Sequence, residues 1–108
     1  MKRGDVVLVA PPGDFAKPRP AVVVQTDCIN DTHASILLCL ITSHVVDAPL
    51  FRLTVQPSPA NGLIKVSQIQ ADKLYTARRE KVGPAIGRMD DTVMDRLGRA
   101  LAFVMEIG

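Results

Sequence analysis

The sequence predicts a mainly β, α+β domain: a small, strongly curved antiparallel sheet, or SH3-like barrel, followed by a C-terminal α-helix. Three observations carry this expectation. Short β-branched runs alternate with breaks rich in Pro and Gly. The run Ser35 to Thr42 (SILLCLIT) is apolar at nearly every position, which suits a central strand covered on both faces. The C-terminal segment carries an apolar stripe at helical spacing behind a pair of aspartates. At 108 residues the chain is expected to form a single domain, 1–108, around one core.

Taken in order, Asp5 to Ala10 (DVVLVA) reads as the first strand, stopped by Pro11-Pro12-Gly13. Residues Pro11 to Pro18 form a loop. Arg19 to Gln25 (RPAVVVQ) is the second strand, with Pro20 at its opening where no ladder donor is missed. After Ser35–Thr42 comes Leu50 to Val55, whose alternation turns Phe51, Leu53 and Val55 inward. Pro57 to Gly62 is a turn, in which Asn61-Gly62 supplies positive φ. Leu63 to Ile69 reads as a further strand with Lys65 and Ser67 on one face. One or two short strands are expected in Gln70–Arg88, near Leu74-Tyr75 and near Ala85-Ile86-Gly87. Asp90 or Asp91 caps the final helix, where Val93, Leu97, Ala100, Leu101 and Val104 share a stripe.

Composition narrows the function. Thirteen basic and 11 acidic residues leave a formal net charge of +2, so a nucleic-acid site has to come from local placement of Lys and Arg. The apolar run Val6–Ala10 is too short for a signal peptide or a membrane span, which predicts a cytoplasmic protein with no membrane partner. Cys28 and Cys39 are then expected to stay reduced. Two Cys and two His without close ligand spacing predict no structural zinc and no cofactor.

Several motifs, in order, carry a resemblance: Arg3-Gly4-Asp5-Val6-Val7, then Pro18-Arg19-Pro20-Ala21-Val22-Val23-Val24-Gln25, Leu40-Ile41-Thr42-Ser43, Gly62-Leu63 with Ser67-Gln68-Ile69, and Ile86-Gly87-Arg88-Met89. Together they resemble the PemK/MazF family of toxin–antitoxin ribonucleases over almost the whole chain. The resemblance implies a sequence-specific, metal-independent endoribonuclease toxin (an mRNA interferase) of a type II toxin–antitoxin system. It implies cleavage of single-stranded RNA by 2′-hydroxyl attack, leaving a 2′,3′-cyclic phosphate and a 5′-hydroxyl. It also implies a homodimer with RNA lying across the interface, and a cognate antitoxin whose disordered tail competes for the same groove. Two departures stand out: the first loop, Pro11–Pro18, is shorter than in many relatives, and Ser67 stands where some members have a catalytic Asp.

Self-cleavage of RNA needs in-line geometry, stabilisation of a dianionic pentacoordinate phosphorus, and two proton transfers. A guanidinium suits the second task because its planar fork matches phosphate oxygens and stays charged. The resemblance gives that role to Arg19, which Pro20 biases to an extended backbone at the loop–strand junction. It makes Thr42, ending an apolar strand, the second catalytic residue. Lys17 and Lys65 are read as phosphate contacts, Ser43 and Ser67 as groove hydroxyls; an ordinary solvated strand face is the alternative for Lys65 and Ser67. Gln68 either reads a base edge or closes a backbone bond. His44 has the right intrinsic pKa for proton transfer but stands where histidines are often merely exposed. Asp14 and Lys17 belong to the loop that the resemblance makes a gate over the site.

An alternative keeps the fold and changes the target: gyrase poisons of the CcdB type bind without cleaving. Those end in Trp-Gly-Ile, whereas this chain ends Met105-Glu106-Ile107-Gly108 and contains no Trp. A proline-rich-peptide adaptor would need an aromatic-lined groove, and 4% aromatic content does not supply one.

Overall fold

The computed structural model describes residues 1–12 and 17–108. Its elements are β1 (Asp5–Val9), β2 (Arg19–Val23), α1 (Asp27–Asn30), β3 (Ser35–Thr42), β4 (Arg52–Val55), β5 (Ser67–Arg78), β6 (Ala85–Arg88) and α2 (Asp91–Met105). The strands form one six-stranded antiparallel sheet in the order β4-β5-β3-β2-β1-β6.

The apolar run that predicted a central strand is β3, with the expected boundaries and with both faces covered. Ile36 and Leu38 pack with Val7, Val9, Ala21, Val23 and Ala77 on one face. Cys39 and Ile41 pack on the other with Val6, Val22, Ile69 and the α2 residues Met94, Leu97, Ala100 and Leu101. Burial pushes the Cys39 thiol up to about 12, so it packs as a small apolar group. Cys39 and the exposed Cys28 are both free thiols.

Helix α2 begins as the aspartates suggested. The Asp90 carboxylate accepts the Val93 N–H at 2.8 Å, satisfying a first-turn donor. Met94 joins Leu97, Ala100 and Leu101 in the buried stripe, while Val93 is half-buried and Val104 is exposed.

The region around β5 differs from expectation. Leu63–Ile69 was read as a strand, but pairing starts only at Ser67, and residues 62–66 form a loop. The reason is the turn before it. Asn61 Oδ1 accepts the N–H groups of both Ser58 and Leu63 at 3.0 Å, and Gly62 adopts φ +72°. The chain is thereby sent across to β6 rather than directly into the sheet. The short strand expected near Leu74-Tyr75 is the second half of a continuous twelve-residue β5. Its Leu74–Arg78 portion pairs with Ser35–Cys39 and its Gln68–Ile69 portion with Ile41–Thr42, with a register shift between them. Because the Gln68–Ile69 portion also pairs with β4, the shift curls the sheet on itself. Helix α1 was not anticipated; Thr26 caps it, and the buried Asn30 at its end bonds Gln25 and Asp27.

The curl is closed without strand pairing. The turn between β4 and β5 lies against the edge strand β6, where the Arg88 N–H donates to the Ala60 carbonyl at 2.8 Å. Two glycines permit the approach: a Cβ on Gly62 would stand 2.1 Å from the Ile86 carbonyl oxygen, and one on Gly87 2.3 Å from the Asn61 carbonyl carbon.

Candidate nucleic-acid interface

The β2–β3 register aligns Ala21 with Leu40 and Val22 with Cys39. Carried two residues on from Ala21, it sets Arg19, the first residue of β2, opposite Thr42, the last of β3. Thr42 is in turn opposite Gln68 on β5, and Gln68 opposite Thr54 on β4. Directly opposed residues in an antiparallel ladder share a face. Arg19, Thr42, Gln68 and Thr54 therefore form a polar row across four strands, on the side away from α2. No segment of sequence contains this row; the topology assembles it.

At the end of the sheet where β2 begins and β3 stops, a groove of about 540 Å³ opens. Lys17, Arg19, Thr42, Ser43, Lys65 and Ser67 line it, over an apolar floor that includes Leu8, Ile41, Leu63 and Ile86. Three cations and no carboxylate occur among its described lining residues. Such a surface attracts phosphate and repels acidic groups. A larger concavity of about 640 Å³ at the start of α2 has the opposite character, because Asp90 and Asp91 line it beside Arg88. Arg88 there is already paired with Asp5 at 3.0 Å.

Six of the residues singled out from sequence thus share one groove. Successive residues of a strand face opposite ways, but β3 ends at Thr42, and Ser43 lines the groove beside it. Lys65 and Ser67 do so from a loop and a strand start rather than from one strand face. The Ser67 hydroxyl donates to the Lys65 carbonyl at 2.9 Å, which holds the loop to β5. His44 is exposed and absent from the lining; its backbone N–H donates to the Thr42 hydroxyl oxygen at 3.1 Å. Gln68 forms the backbone bond rather than facing the groove. Its Nε2 donates to the Val46 carbonyl at 2.8 Å and to Thr54 Oγ1 at 3.1 Å, and its Oε1 accepts the Val46 N–H at 3.1 Å. At 2% exposure with both amide protons engaged, it has no donor left for a base edge. Asp14 and the middle of the first loop lie outside the described residues. Among those described, no group of three His, Cys, Asp or Glu side chains gathers as a metal site. None of their helices is long and apolar enough to cross a membrane.

Sequence reading missed one groove feature. Ile64 stands on the rim at 91% exposure, and its place in an apparently alternating strand concealed it.

This curled six-stranded sheet with a C-terminal helix is the fold of MazF toxins. Two solved structures illustrate it. One is the Mycobacterium tuberculosis toxin MazF-mt6, with a TM-score of 0.83 and 17% identity over 96% of this chain and 98% of that one. The other is an endoribonuclease in complex with its cognate antitoxin from a mycobacterial species, with a TM-score of 0.82 and 20% identity over 100% and 97%. The chain itself belongs to the PemK-like, MazF-like toxins of type II toxin–antitoxin systems, whose family pattern matches residues 2–105. A probable endoribonuclease MazF of Mycolicibacterium smegmatis is 38% identical to it, covering 99% of this chain and 98% of its own length.

Proposed function

We propose that this toxin cuts single-stranded RNA in the Arg19–Thr42 groove by promoting attack of a 2′-hydroxyl on the adjacent phosphorus. Family membership and the identity to a named endoribonuclease make the chain an endoribonuclease toxin of a toxin–antitoxin system. The observation that carries the chemistry is the opposition of Arg19 and Thr42 at paired strand ends, in a groove whose described lining holds cations and no carboxylate.

In this reading a 2′-oxygen–phosphorus bond forms as the phosphorus–5′-oxygen bond breaks. The products are a 2′,3′-cyclic phosphate and a 5′-hydroxyl, so the nucleophile belongs to the substrate and no metal-bound water is needed. Arg19 neutralises the charge that gathers on the non-bridging oxygens. Thr42 has one lone pair occupied by the His44 N–H, which leaves its proton to donate to a phosphate oxygen. Lys17 and Lys65 hold neighbouring phosphates, and the apolar surface of Leu63 and Ile64 packs against bases. RNA sequence preference, cytoplasmic action, two-fold dimerisation and competition by an antitoxin tail belong to the same proposal. The short edge strand β4 supports assembly, since an unpaired edge favours being covered.

The test is incubation of purified protein with long mixed-sequence RNA in excess EDTA, with chemical mapping of every new end. Discrete cuts bearing a 5′-hydroxyl are expected, and the same cuts are absent with Arg19→Ala. A requirement for metal, or 5′-phosphate ends, would overturn the mechanism. A folded protein that cuts nothing but inhibits DNA supercoiling would favour the gyrase-binding alternative.

A further inference from the structure

We propose that Gln68 is a positioning residue, which aims the Thr42 hydroxyl through the backbone of residues 43–46; the inference rests on the ribonuclease reading above. Beyond the end of β3 the chain leaves the sheet. Among the described residues, three hydrogen bonds hold 43–47: the two between Gln68 and Val46, and the one from the His44 N–H to Thr42 Oγ1. Gln68 pairs with the Val46 N–H and C=O as a neighbouring strand would, although the two residues are 22 positions apart. It does so from the strand position directly opposite Thr42.

The consequence is directional. A threonine hydroxyl has one proton and two lone pairs, and it rotates to suit its partners. The His44 N–H fixes one lone pair, so the proton points elsewhere, which for a groove-lining Thr42 means toward bound phosphate. That holds only while the turn at Ser43 and His44 keeps its shape. Gln68 clamps the far end of that turn at Val46. The useful part of His44 is then its backbone amide rather than its imidazole.

Gln68→Leu removes both bonds to Val46, and Gln68→Glu, which keeps an acceptor but loses the donor, serves if the first variant folds poorly. Thr54→Val removes the third amide contact without touching Val46. The expected result is a fall of about tenfold in kcat for the Gln68 variants with KM within about twofold, and little change for Thr54→Val. In a Thr42→Val background the Gln68 substitution should cost nothing further, because its effect passes through that hydroxyl. Amide exchange of His44 and Val46, read on the whole protein without RNA, should accelerate in the Gln68 variants. Fully additive losses, or unchanged exchange at both amides in an active variant, overturn the positioning role alone. A wild-type protein that cuts no RNA overturns the ribonuclease reading and this role with it.

Discussion

Arg19 and Thr42 stand at the ends of strands paired on both sides, β2 between β1 and β3, and β3 between β2 and β5. Across the groove, Leu63, Ile64 and Lys65 stand on a loop that, among the described residues, is hydrogen-bonded near its ends. The N-terminal end is the Asn61–Gly62 turn pressed on β6, and the C-terminal end is the Ser67 hydroxyl bonded to the Lys65 carbonyl. The difference separates two tasks. Stabilising a transition state needs charges fixed to a fraction of an ångström, which a ladder of hydrogen bonds supplies. Contacting flanking nucleotides tolerates looser placement and benefits from a segment free to vary. We therefore assign rate to the strand wall and preference to the loop wall.

The sharpest way to break this division is at Arg19. Arg19→Ala should lower cleavage by about a thousandfold or more, consistent with losing a preorganised donor to developing charge, while circular dichroism and the denaturation midpoint stay near wild type. A folded variant with near-normal turnover would remove the strand wall from the chemistry.

Next in size is the anchor of the loop wall. At Gly62 a new methyl group would meet the backbone oxygen of Ile86 at 2.1 Å in a residue already at φ +72°. Neither the carbonyl nor the dihedral yields cheaply. Gly62→Ala should destabilise the protein by about 3 kcal/mol in urea titration, and a loss below about 0.5 kcal/mol would mean that the turn against β6 is not a required closure. Lys65→Ala, by contrast, leaves the loop's bonds in place, since these use its backbone. Its effect should be confined to binding: turnover within about threefold, KM raised about fivefold, and the slope of log affinity against log salt reduced by about 0.7, the value for one phosphate contact on a single strand. A large drop in turnover would move Lys65 to the catalytic side.

What sequence conveyed follows the same division. The strand wall was legible because its elements announce themselves: β3 by an unbroken apolar run, β2 by a β-branched run after Pro20, and both by motifs that contain Arg19 and Thr42. The loop wall was misread for a physical reason. Leu63, Ile64 and Val66 have strand composition, and only the geometry of Asn61 and Gly62 decides that they leave the sheet. Helix α1, four residues long, has too little periodicity to register. The clamp between Gln68 and Val46 was illegible in principle, since it joins a side chain to a backbone across the fold. Reading Gln68 as either a base-edge contact or a backbone bond left its partner, Val46, unknown.

The smallest expected effect tests whether the hairpin carrying the loop wall is independently fastened. At its far end Arg52 and Asp72 join β4 to β5 through two hydrogen bonds, Nε to Oδ1 at 2.8 Å and Nη2 to Oδ2 at 3.0 Å. Their side chains are 13% and 28% exposed, so solvent still screens the pair. The Arg52 guanidinium holds the Asp72 carboxyl below its ordinary range. A carboxyl lowered on folding contributes stability that is present above its unfolded pKa, about 4. That contribution is lost as pH falls through the lower folded value. Asp72→Asn should therefore cost about 0.5–1 kcal/mol at neutral pH, and the gap to wild type should close in acid. A constant gap from pH 7 down to pH 2 would show that the asparagine is penalised for packing rather than charge. In that case the bidentate pair would contribute nothing to holding β4 against β5, and the hairpin would rest on its ladder and on the turn at Gly62.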